Sequence, residues 1–364
     1  MIQDTGPLRS ILTVDMAALS RPGPQKPVPG GSPGQGSVQE RAQICRMRID
    51  VAYNGPPAGV QEAARQAVEL GFEGLWTSET RHDPFLTLAL AAHSCPGLPL
   101  GTGVAIALAR SPFTLAQSAW DLAQLSQGNF VLGLGSQVKA HVTRRFSMPW
   151  DRPVARMREM VAALRAIWAA FEGSQPLRFE GEFYQHTLLT PNFCPPPSRF
   201  PAPPIGLAGV GPQMTALAGE VADCLLLHPF THPTYLRTAT AQALERGLRK
   251  AGRERSQITV VGSLFAYLED EQAPRREAAV RDKLGFYGST PAYHPVLDSL
   301  RRPGLGEKLH ELSRRGEWKR MGSLIDDELL NCFAVRAPSQ EELFARVRER
   351  FAGLYDRVVL TVPG

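Results

Sequence analysis

No stretch of this 364-residue chain holds the roughly 18 uninterrupted apolar residues that a membrane-spanning helix needs, so no such helix is expected. Cysteine is scarce. Its five positions (Cys45, Cys95, Cys194, Cys224 and Cys332) are odd in number, widely spaced and free of any C-x-x-C pair. That disfavours a disulfide framework and a zinc ribbon. These residues read instead as small apolar core positions in a reducing compartment, which points to the cytoplasm. A basic n-region followed by an apolar h-region is missing at the N-terminus, so no secretory signal is expected. Charge of one sign is missing too: 40 Lys+Arg face 35 Asp+Glu, a net +5. That excess tolerates an acidic ligand. Without a basic stripe or basic–aromatic interleaving, however, no nucleic-acid partner is expected. His93, His186, His228 and His232 lack metal-ligand spacing, and no metal is expected. Ser78 has no recognisable elbow or His/Asp partner, so a serine hydrolase is unsupported.

What is present is an ordinary globular balance, 43% hydrophobic and 21% charged residues. The exception is the run RPGPQKPVPGGSPGQGS at 21–37, where almost nothing can be buried. Such a segment cannot offset its ordering entropy. Residues 1–46 are therefore read as a disordered Pro/Gly-rich extension, a real tail or a start-site artefact, and residues 47–364 as the folded domain.

From residue 47 onward the chain alternates strand and helix patterns. Strands are expected at 47–53, 74–78, 98–109, 129–135, 203–209, 223–228, 258–267 and 356–362. Helical periodicity falls between them. Val60, Ala63, Ala64, Ala67 and Val68 share one face, Ser111 and Ser339 sit as N-caps, and Gly71, Gly128, Gly173 and Gly252 sit as stops. Eight strands apolar on both faces, each followed by helix, predict a (β/α)8 TIM barrel. Insertions are expected after strands four and seven, at 136–202 and 288–337, and long insertions are commonly lids or binding loops.

A barrel of this kind works at its strand C-termini. In GLAGVGPQMTALAGEVAD a strand ends in Gly209-Val210-Gly211 and Pro212 opens a helix. Free N–H groups there suit an anion; a tight turn with glycines for sterics alone has the same pattern. Gly101 and Gly103 inside a strand mark a bulge, a bend or the close approach of a ligand ring. GLGSQ at 133–137 brings a second turn to the rim. Lys139, His141, Arg144 and Arg145 form a basic segment for an acidic ligand tail, or an ordinary solvated face. His82 beside Asp83 pairs a base with a carboxylate, but Asp83 also suits an N-cap. His228 stands at a strand end. Arg346, Arg348 and Arg350 alternate with Glu and read as surface.

Together, GLWTSE, GTGVAIALARSPFTLA, FVLGLGSQ and IGLAGVGPQMTALAGEVAD, in this order at strand ends, resemble the luciferase-like monooxygenase superfamily. VKAHVTRRFSMPW, FEGEFYQHTLLTP and LLLHPF resemble its deazaflavin (coenzyme F-420)-dependent oxidoreductase branch from actinobacteria. The resemblance implies a TIM barrel of the bacterial-luciferase type, often dimeric, with a deazaflavin or flavin across the strand C-termini. The ring would pack on the strand-three bulge at Gly103, Val104 and Ile106, with a cis non-proline peptide at Gly103-Val104. The turn after strand four, Gly135, Ser136 and Gln137, would flank ring and substrate. The phosphate would sit on Ala208, Gly209, Val210, Gly211, Pro212, Gln213 and Met214, and the acidic tail near Arg144 and Arg145. Glu79, His82 and His141 are the candidates for proton transfer. The implied activity is hydride transfer between coenzyme F-420 and a small organic substrate. The alternatives are an FMN-dependent monooxygenase and a non-catalytic deazaflavin-binding protein. Sugar-phosphate dehydrogenases of the family carry Asp-His after strand two and an acid after strand four. Here those places hold Glu79-Thr80 and Gln137, and a neutral amide is no general acid, so that substrate class is not expected.

Overall fold

The computed structural model describes residues 47–361. The expected extension at 1–46, Cys45 and the end of the eighth expected strand at 362 lie outside the described residues. In chain order the first half runs β1 Arg48–Ala52, α1 Val60–Glu69, β2 Leu75–Thr77, α2 Pro84–Ser94, β3 Leu100–Thr102, β4 Ala105–Ile106, α3 Pro112–Leu125, β5 Phe130–Gly135, α4 Lys139–Arg144 and α5 Pro153–Phe171. A small hairpin, β6 Phe179–Glu180 and β7 Gln185–His186, leads to β8 Ile205–Ala208, α6 Pro212–Val221 and β9 Cys224–Leu227. One helical turn and a π-helical stretch precede α7 Ala241–Lys250. Then come β10 Thr259–Leu268, α8 Ala273–Gly288, α9 His294–Asp298, α10 Leu305–Arg314, α11 Trp318–Gly322 and α12 Asp327–Phe333. The chain ends through β11 Ala334–Ala337, α13 Gln340–Phe351 and β12 Arg357–Thr361.

Eight parallel strands close on themselves in the order β1-β2-β3-β5-β8-β9-β10-β12, with β12 returning to β1. All eight expected strands are present, and the closed ring is the expected TIM barrel. β4 continues β3 beyond a break at Gly103-Val104 and pairs with β5. β10 overshoots the ring, and its last residues pair with β11 from Phe265 to Leu268.

Local signals explain the punctuation. Asp83 caps α2 by accepting from Phe85 N–H (2.8 Å) and Leu86 N–H (3.1 Å), and Ser111 caps α3 by accepting from Phe113 N–H. Gly71, Gly128, Gly173 and Gly252 all take positive φ at helix ends. Two expectations are corrected. Val68 is 54% exposed although its four partners on α1 are buried, because it lies at the edge of the apolar stripe. Arg350 is no surface cation: it is half-buried and donates to the Ala334 carbonyl at 2.9 Å and to that of Cys332. It thereby ties α13 to the start of β11.

Side chains alternate across each strand. The outward set (Val51, Leu75, Leu132, Leu207, Leu225, Val358) is sealed by helices. The inward set forms a plug of Trp76, Cys224, Leu226, Val261 and Val359. Two bulky residues fill its middle because glycines make way. A side chain at Gly101 would lie 2.5 Å from the Trp76 ring, and one at Gly133 would overlap the Thr102 carbonyl and Leu226. Below the plug, the buried Asp50 meets Arg357 Nε at 2.5 Å and accepts from Trp76 Nε1 at 2.6 Å. Burial raises its carboxyl to about 6, against the opposing pull of Arg357.

Candidate active site

One step above the plug, the inward positions of six strands hold Ala52, Ser78, Gly103, Gly135, Ala208 and Ser263. Five of the six keep solvent contact, and Gly135 is buried. Short side chains at these six rim positions stand over an apolar floor. Val104 and Ala208 pack against the plug from above. A Cβ at Gly135 would lie 2.6 Å from Val104 and 3.8 Å from Ala208, so two residues expected at the ring and one expected at the phosphate meet in one patch.

The strand-three break is held by the segment after β2. The Gly103-Val104 peptide is cis, at the position the resemblance implies. Ser78 Oγ donates to Gly103 O at 2.7 Å, Glu79 N–H donates to Val104 O at 3.0 Å, and Gly103 N–H donates to Thr77 O at 2.8 Å. The Glu79 carboxylate, 7% exposed, accepts from Ile106 N–H at 2.7 Å and forms an ion pair with Arg110. Arg110 also reaches Asp83 at 2.9 Å. Both contacts use Oε2, so one oxygen of the Glu79 carboxylate shapes the bulge, and Oε1 has no partner among the described residues. Charge-assisted bonds of this kind are strong and geometrically exacting.

The other expected residues fall in two places. Gln137 follows β5 with φ +60, a conformation that non-glycine residues adopt at a cost. Its side-chain oxygen accepts from Val138 N–H, and Ser136 Oγ donates to its carbonyl. His82, His141, Arg144 and Arg145 are exposed. Arg145 donates to the Thr80 carbonyl, which ties the end of α4 to the β2 loop. His82 receives nothing from Asp83, whose two oxygens serve the α2 cap and Arg110.

After β8 the two glycines do different work. A Cβ at Gly209 would lie 2.7 Å from Thr215 Oγ1 and 2.9 Å from Leu225, so packing requires glycine there. Gly211 has an ordinary extended backbone (φ −83, ψ 159), and a Cβ would meet nothing within 4 Å. Neither sterics nor φ demands glycine at this N-cap. Among the described residues no acceptor is given for the N–H groups of Val210, Gly211, Gln213 or Met214. Open space, unpaired donors and the positive end of a ten-residue helix coincide, an arrangement that takes an anionic oxygen group.

On the far wall, His228 follows β9. Its Nδ1 accepts from Phe230 N–H at 3.1 Å, and its ring contacts Tyr287 and Tyr293. Ser263 follows from counting inward positions along β10. The tyrosines belong to α8 and the insertion, and nothing in their local sequence marks them. Two other clefts, of about 430 and 440 Å3, lie away from this rim. One is beside His294 and α10; the other is between α7 and the outer face of β9. Neither is lined by mouth residues.

A closed barrel, a broken third strand and a helix N-terminus after the fifth now stand together. Residues 39–357 match the family model described as luciferase-like monooxygenase. The chain belongs to the luciferase-like monooxygenase family. The "Uncharacterized protein Rv1360" of Mycobacterium tuberculosis is 45% identical over 316 residues, 86% of this chain and 93% of that one. A 5,10-methylenetetrahydromethanopterin reductase of Archaeoglobus fulgidus is 26% identical over 309 residues, covering 82% of this chain and 87% of the relative. Among solved structures, the coenzyme F420-dependent tetrahydromethanopterin reductase from Methanopyrus kandleri superposes with TM-score 0.70 at 20% identity, covering 87% and 93% of the two chains. That last likeness concerns the fold. Among the described residues no helix is long and apolar enough to cross a membrane, and the four described cysteines are free. Cys224 is the buried one, and burial pushes its thiol up to about 12, which leaves it unreactive.

Proposed function

We propose that this chain is a deazaflavin-dependent oxidoreductase that transfers hydride between coenzyme F-420 and a small organic substrate. The observation that carries the reading is the rim of short residues at Gly103, Gly135 and Ala208, with the unpaired amides of Gly211, Gln213 and Met214 following directly on β8. A flat ring and a phosphate find complementary surfaces there. The coenzyme, when bound, supplies the hydride chemistry.

The protein's contribution is binding and orientation. The amides after β8 would hold the phosphate. The bulge, clamped by Ser78 and Glu79, would fix the ring's height above the Trp76–Leu226 plug. The apolar floor would keep water from one face. Arg144 and Arg145, at the end of α4, would hold the acidic tail. Among the candidates for proton transfer, the His82 and His141 side chains form no hydrogen bond among the described residues, whereas Glu79 serves the bulge. The alternatives within the same fold are FMN as cofactor with oxygen consumption, and a chain that binds a deazaflavin without turnover. Titrating the purified protein with F-420 and with FMN, followed by absorbance and fluorescence, separates them. Saturable F-420 binding supports the proposal; preference for FMN selects the monooxygenase reading; binding of neither removes both.

A further inference from the structure

The sixth strand carries the one bulky polar side chain on an inward rim position otherwise given to small residues. On β9, Cys224 and Leu226 point inward into the plug, so the next alternate position, His228, points inward at the mouth. We propose that His228 grips an oxygen of the organic substrate. Its imidazole, with the proton on Nε2, donates a hydrogen bond to a carbonyl, enolate or phenolate oxygen lying over the open face of the bound ring. This assignment rests on the cofactor reading above.

Three observations fix the donor. Phe230 N–H donates to His228 Nδ1 at 3.1 Å, and a ring nitrogen that accepts carries no proton, so in the neutral imidazole Nε2 carries it. The ring is held edge-on to Tyr287 at 4.4 Å and tilted against Tyr293 at 5.0 Å between centroids, which leaves little freedom to flip. Nε2 has no hydrogen-bond partner among the described residues and is not fully enclosed, and the inward position of the side chain on β9 aims it at the mouth. The ring's close neighbours are aromatic. Burial alone lowers its pKa, to about 3, with no charged group contributing. The imidazole therefore stays neutral near pH 7 and donates a hydrogen bond without giving up a proton. Its ordinary role as a titrating base is closed to it here. A neutral donor fixed in low-dielectric surroundings is suited to developing negative charge on oxygen.

Two measurements test this. The first is ring-nitrogen NMR on the 15N-histidine-labelled full chain without cofactor. The proposal expects one His228 signal pair with the proton on Nε2 and no titration between pH 5 and 8. A proton on Nδ1, or titration near the ordinary histidine value, overturns it. The second uses 4-fluorophenol as the oxygen probe, added to cofactor-loaded protein and followed by 19F NMR. Wild type is expected to bind the phenol through its oxygen, and His228→Phe to bind it roughly 10- to 100-fold more weakly. His228→Gln, which keeps a donor near the Nε2 position, is expected to recover most of the loss. Equal binding by wild type and the Phe variant, or no binding by wild type, overturns the assignment. Cofactor affinity measured alongside separates the two levels. If neither F-420 nor FMN binds wild type, the cofactor reading fails while the ring-nitrogen spectrum still judges His228. If His228→Phe does not fold, that spectrum and the Gln variant decide.

Discussion

Replacing Gly211 with aspartate should stabilise the empty protein and cripple it as a cofactor binder. The N-cap of α6 has the extended backbone of an ordinary cap and no side-chain hydrogen bond. A Cβ there meets nothing within 4 Å. An aspartate would fit and accept from Gln213 or Met214 N–H. Preferred N-cap side chains contribute about 0.5–2 kcal/mol over alanine but only a few tenths over glycine. A carboxylate at the positive helix end adds roughly 0.3–1 kcal/mol. The expected gain is therefore about 0.5–1 kcal/mol, read as a higher denaturant midpoint at unchanged slope. The same carboxylate would occupy the donors meant for a phosphate and repel it. At about 5 Å and an effective dielectric of about 20, that repulsion is roughly 3 kcal/mol per unit charge, of the order of a hundredfold in affinity. Titration of F-420 into wild type and Gly211→Asp reads the loss. A variant that is more stable yet binds F-420 as tightly as wild type would refute the placement of the phosphate at this helix.

Glu79→Ala leaves Ile106 N–H without its acceptor and Arg110 with Asp83 and the Ile106 carbonyl. It should cost about 2–4 kcal/mol in urea unfolding and weaken ring binding, whereas Glu79→Gln, which keeps an acceptor, should lose roughly half as much. Gly133→Ala should lose more than about 4 kcal/mol, or yield no folded protein, because its Cβ overlaps the Thr102 carbonyl; a normal far-UV spectrum and melting curve would contradict this. Asp50 has its carboxyl raised from 3.8 to about 6 on folding. The stability it contributes is present below pH 3.8 and lost as pH rises through 6, about 3 kcal/mol in all. In Asp50→Asn, unfolding free energy should therefore rise more steeply, or fall less, from pH 4 to 7 than in wild type; parallel profiles would count against the burial argument.

The barrel was legible because its strands are apolar on both faces, and because glycines such as Gly71 and Gly128 and caps such as Asp83 and Ser111 mark helix ends by local chemistry. The break at Gly103-Val104 was foreseeable from strand glycines combined with family resemblance. The rim of short residues was not. It exists only once register is known, since Ala52, Ser78 and Ser263 lie far apart in sequence and become neighbours through the closed ladder. The engagement of Glu79 escaped the sequence for the same reason: Arg110 is 31 residues away and meets it across the bulge. Tyr287 and Tyr293 reach His228 through an insertion whose path no local periodicity reveals. Gly209 and Gly211 look alike as letters, and only packing tells the sterically required one from the one facing open space.

The most direct test is a crystal structure of the full chain grown with F-420. The account predicts phosphoryl oxygens within hydrogen-bond distance of the Gly211, Gln213 and Met214 amides and the deazaflavin ring against Gly103-Val104. Density for the coenzyme anywhere else, or an α6 N-terminus bearing no phosphate in a saturated crystal, would contradict it.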